Sequence, residues 1–162
     1  MKSKCQELTN ILEEQMNIYR HLMDLSVKKQ EQLIKGSLDE LNEVTKQEEV
    51  LIFQLGKLEG KRENCFIQLA ELGNFDCKKT LSEVIPLLPV ELQEDLEQIE
   101  VDFLALLEKL SRTNQENTGL IEQSLDFINY SVDILNQHTK PVYNSEKEIK
   151  VEQLNSIFDK KI

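Results

Sequence analysis

From Leu41 onward, one stripe of residues recurs in unbroken steps of three and four: Leu41, Val44, Glu48, Leu51, Leu55, Leu58, Arg62, Cys65, Leu69 and Leu72. Sustained over several heptads, that period predicts a helix over about 38–72 with a coiled-coil seam. An earlier stripe, Leu8, Ile11, Leu12, Ile18, Tyr19, Leu22, Leu25 and Leu33, predicts a helix over about 4–35. Gly36 can then take the left-handed position after its end, and so short a turn sends the second helix back antiparallel. A third stripe runs Leu92, Leu96, Ile99, Phe103, Leu106, Leu110, Asn114, Asn117, Ile121, Ser124, Ile128, Ser131 and Leu135. It predicts a helix over about 90–137, ending before Pro141, with Pro89 in its first turn. Between the second and third helices lie the loop GNFDCKK, opened by the helix-ending Gly73, and a short helical turn over 81–85. Ser3 with Gln6, Ser37 with Glu40, and Thr80 with Glu83 have the spacing of capping boxes.

The fold class that follows is all-α: an antiparallel three-helix coiled-coil bundle over 1–137 with a long, partly protruding third helix. Residues 138–162 form a mobile C-terminal tail, with Ile149, Leu154, Ile157 and Phe158 available to a short docking helix. At about 1.5 Å per residue the third helix spans about 72 Å and the second about 53 Å. In antiparallel register the third helix outruns its neighbour from near residue 125. There its apolar surface broadens. Ile121, Leu125, Ile128, Val132 and Leu135 share one narrow stripe at 100° per residue, and Leu120, Phe127 and Ile134 make a second beside it. Either the first helix or a second copy covers both stripes, or they form a partner site of the helix-in-groove kind.

Polar residues inside a seam need partners, because buried charge is costly when unpaired. Glu48 and Arg62 lie fourteen residues, about 21 Å, apart on one helix and cannot pair with each other. They, with Asn114 and Asn117, are expected to meet amides or opposite charges on neighbouring helices and so set register. Gly56 and Gly60 are expected to let a neighbouring helix approach closely. Gly119 is a candidate hinge.

Composition narrows the function. The chain has 30 acids against 19 Lys and Arg, a formal charge of −11, which disfavours nucleic acid and anionic membrane surfaces as partners. Six of the acids crowd residues 91–102, where they complement a helix N-terminus as a solvated face. Three irregularly spaced cysteines read as reduced thiols. There is no signal peptide and no apolar run of membrane-spanning length, which points to a soluble cytoplasmic protein. His21 and His138 lack the Glu-x-x-His context of a bundle metal site and read as surface residues, and no phosphate loop or nucleophile elbow occurs. An enzyme and a cofactor are therefore not expected.

LGKLEGKRENC, RTNQENTGLIEQSLDFIN, KPVYNSEKE and the terminal FDKKI, in that order and spacing, resemble the FlgN family of flagellar export chaperones. The resemblance implies a cytoplasmic type III export chaperone that binds the hook–filament junction proteins FlgK and FlgL. It would prevent their premature assembly and deliver them to the export gate component FlhA. It also implies that cargo binds the amphipathic end of the long helix, through Leu120, Ile121, Leu125, Phe127, Ile128, Val132, Ile134 and Leu135. The gate-contacting tyrosine matches Tyr143, with Tyr130 as the other candidate. The alternative reading is a structural coiled-coil adaptor that uses the same face to self-associate or to scaffold another helical protein.

Overall fold

A computed structural model describes residues 1–138, all helix and turn with no strand among them. Helix α1 spans Lys2–Lys35, α2 Leu38–Gly73, α3 Leu81–Val84 and α4 Val90–His138, with a 3₁₀ turn at Ile85–Leu87 between the last two. The chain divides into two compact units, Met1–Leu125 and Asp126–Ile162, and α4 supplies residues to both. The expected tail beyond His138, including Tyr143 and the residues from Ile149 to Phe158, lies outside the described residues.

In the first unit α1 and α2 run antiparallel. The Cys65 thiol donates to the Lys4 carbonyl at one end, and Lys29 pairs with Glu48 towards the other. Helix α4 runs alongside α1 in the same direction: the Tyr19 and Phe103 rings meet edge to face at 5.3 Å, and Ser26 reaches Asn114 and Asn117 further on. The directions of α1, α2 and α4 are thus fixed by named contacts.

Local chemistry explains the ends. Gly36 adopts φ 71°, which an L side chain rarely tolerates, and the Ser37 N–H returns to the Gln32 carbonyl in a Schellman-type close. At the end of α2 the left-handed residue is not Gly73 but Asn74, with φ 53°. Gly73 is the last helical residue, and its missing side chain matters for a different reason: a Cβ there would lie 2.6 Å from the Phe75 ring. That ring packs edge to face on Phe66 at 6.1 Å. Of the three expected capping boxes, one forms. Thr80 accepts from the Glu83 N–H while the Glu83 carboxylate accepts from the Thr80 N–H at 2.7 Å. Ser37 is the N-cap of α2 without a side-chain bond, and Ser3 lies inside α1, whose N-cap is Met1. Pro89 stands just before α4, its carbonyl accepting from Leu92 N–H at 2.9 Å.

The tightest core is at the end of the bundle where α3 and the 3₁₀ turn close over the three long helices. Leu8, Leu69, Val84, Ile85 and Leu96 are fully buried together there. Burying each leucine or isoleucine side chain contributes about 1.5–3 kcal/mol. A second, smaller cluster gathers Leu22, Met23 and Leu110 around the half-buried Leu51, Leu55 and Leu106. The α2 seam weakens at its far end, where Leu72 is exposed. The acidic run opening α4 is largely exposed, but Glu100 is half-buried and accepts the Ser82 hydroxyl, tying α3 to α4.

Candidate functional site

Helix α4 passes through Asn114, Asn117 and Gly119 without a break, so the proposed hinge at Gly119 is ordinary helix. The polar steps Ser124 and Ser131 are held in it by bonding back one turn, to the Leu120 carbonyl at 2.9 Å and the Phe127 carbonyl at 2.8 Å. Every residue from Ile121 to Tyr130 is exposed. In the first unit this leaves Ile121 and Leu125 accessible, with Leu120 half-buried. In the second, Phe127 is 71% exposed and Ile128 54%, Val132 and Leu135 are exposed, and Ile134 is half-buried. Tyr130 is exposed as well.

The polar seam residues meet different kinds of partner. Glu48 pairs with Lys29 of α1, both mostly shielded from water. The Asn114 side-chain oxygen accepts from the Ser26 hydroxyl at 2.7 Å. Asn117, buried, donates to the Ser26 carbonyl at 2.8 Å and to its hydroxyl at 3.2 Å. Arg62 differs from expectation. Its partner is Glu59, one turn back on the same helix, at 2.9 Å. The cross-helix link comes from Gln15 of α1, which donates to the same carboxylate at 3.1 Å. The hydrogen bond from Arg62 is the main reason the Glu59 carboxyl lies below its ordinary range; burial opposes it, and the hydrogen bond from Gln15 and the Arg62 charge add to the lowering.

Ser26 and Gln15, the two buried polar positions of α1, escaped the sequence reading. A signal for them existed: each lies four residues after an apolar stripe position, Leu22 and Ile11 respectively. The glycines of α2 also differ from expectation. Cβ atoms at Gly56 and Gly60 would meet nothing within 4 Å, so no helix of this unit approaches them closely. Gly56 instead lines an open groove of about 650 Å³ among α1, α2 and α4, with Gln15, Glu59, Asn114, Asn117 and Ile121 also on its walls.

His21 is exposed, and among the described residues no three His, Cys, Asp or Glu side chains gather to hold a metal ion. Cys5 and Cys65 are buried free thiols whose pKa values are raised by burial; Cys77 is exposed. Among the described residues no helix is long and apolar enough to cross a membrane.

No solved structure matches the chain at a significant level. The chain is similar to a Bacillus subtilis (strain 168) protein described as "Uncharacterized protein YvyG", 28% identical over 151 residues that cover 89% of this chain and 90% of the relative. Over residues 1–150 it matches the family described as "FlgN protein". With an all-helical fold and that match across most of its length, the chain belongs to the FlgN family, whose general role is that of a flagellar export chaperone.

Proposed function

We propose that this chain is a cytoplasmic chaperone for the hook–filament junction proteins FlgK and FlgL, binding them through the C-terminal face of α4 and delivering them to FlhA at the export gate. The observation that carries the reading is the run of exposed apolar residues Ile121, Leu125, Phe127, Ile128 and Val132, repeated at helical spacing on one helix. Apolar surface so arranged is costly to leave in water and suits an amphipathic partner segment. Leu120, Ile134 and Leu135 complete the proposed contact. Junction subunits whose termini order only on assembly would be shielded by such a face. Tyr143 is the proposed gate contact, with Tyr130 as its alternative.

The polar seam has a separate proposed role. Glu48 with Lys29, Asn114 and Asn117 with Ser26, and Arg62 with Glu59 and Gln15 fix the register of the bundle that carries the face. Mixing the purified chain with FlgK or FlgL and measuring mass by light scattering after gel filtration tests the reading. A stoichiometric complex is expected. Two separate peaks with both cargos, at concentrations of tens of micromolar, would refute it.

A further inference from the structure

Two hydrogen-bonding atoms on the groove of the first unit have no partner. The side-chain oxygens of Gln15 and Asn117 are buried and unbonded, and each residue is 3% exposed. Both residues line the groove. Their orientations are fixed by chemistry: the Gln15 amide nitrogen donates to a carboxylate and the Asn117 amide nitrogen to a backbone carbonyl, neither of which can donate in return. The two free atoms are therefore acceptors. The nearby cations are already engaged, Lys29 by Glu48 and Arg62 by Glu59. No donor among the described residues reaches either oxygen.

Their spacing describes the donor. Asn117 sits on Ser26, eleven residues beyond Gln15 on α1, which places the two acceptors about 16 Å apart along the groove on nearly the same helical face. The wall between them is apolar, with Leu22, Leu55 and Ile52, and it is smooth at Gly56, where a backbone can approach without meeting a side chain. We infer that the groove receives an amphipathic helix of a partner protein, about four turns long, with lysine or arginine at positions i and i+11 and apolar residues between. The formal charge of −11 favours a cationic partner and speeds its encounter. This site stands on α1, α2 and the middle of α4, and holds whether or not cargo binds the end of α4.

A fluorescein-labelled synthetic helix of eighteen residues, with lysines at positions 4 and 15 and leucines at 8, 11 and 12, probes it by anisotropy against the full chain. The expected result is saturable binding, weakened at least tenfold when both lysines are replaced by glutamate, and lost in Gly56→Leu. That substitution fills open space and favours helix, so unchanged circular dichroism is expected. Equal binding of the lysine and glutamate peptides, or full binding to Gly56→Leu, would overturn the inference. So would a dimer of the chain alone that Gly56→Leu dissociates, since a second copy would then be the occupant. Peptide binding that survives Gly56→Leu but is lost in Ile128→Asp would assign the contact to the α4 face instead.

Discussion

The closed and open ends of the first unit are built from the same three helices, yet differ in one respect. At the closed end α3 and the 3₁₀ turn supply Val84, Ile85 and Leu88 as a fourth wall, and Leu8, Leu69 and Leu96 are sealed from water. Towards the open end no such element is present among the described residues. The seam there turns to Ser26, Asn114, Asn117, Lys29 and Glu48, and a groove persists between the helices. Three narrow helices enclose a dry core only where something else covers them. Where nothing does, hydrogen bonds replace apolar packing, and apolar side chains such as Ile52 and Ile121 remain at the surface.

The contrast can be broken by substitution. The largest effect is expected at the closed end, where Leu96→Ala should cost about 2–5 kcal/mol in urea unfolding. Leu125→Ala, equally apolar but exposed, should stay within about 0.5 kcal/mol. Comparable losses from the two would erase the distinction. Next comes Asn117→Ala, which removes the two hydrogen bonds that tie α4 to Ser26 of α1 and should cost about 1–2 kcal/mol by thermal melting. Thr80→Ala removes the one complete capping box and should cost about 1 kcal/mol, loosening the cover of the closed end.

The smallest effect concerns pH. The Glu59 carboxyl is depressed in the fold chiefly by the hydrogen bond from Arg62. Its contribution is therefore present above the ordinary glutamate value of about 4.3 and is lost as pH falls through the lower folded value. Partial exposure of both side chains keeps this small. Urea midpoints of the native chain and Glu59→Gln should converge on going from pH 7 to pH 3, and a constant gap would contradict the assignment.

Much of this was legible in the residue pattern, because a 3.6-residue period identifies which face of a helix is buried. It correctly separated three long helices and singled out the apolar surplus after Leu120. Periodicity does not say what a face is buried against. For that reason Arg62 was assigned a neighbour across the bundle when a carboxylate one turn away on its own helix was nearer. The same limit made Gly56 and Gly60 look like a close helix contact when they border open space. The left-handed position after α2 falls to Asn74 and not to Gly73, whose missing side chain instead leaves room for the ring of Phe75, two residues on. Capping spacing was likewise necessary and insufficient: Ser37 had the position without the bond.

The central claim is that the exposed C-terminal face of α4 holds cargo. Isothermal titration of FlgK and FlgL into Ile128→Asp tests it most directly, with circular dichroism to verify that the helices persist. The account predicts unchanged helicity and melting, with affinity reduced on the order of 30-fold or more, the loss expected at a central apolar contact. Native affinity for both cargos in a folded Ile128→Asp chain would contradict it.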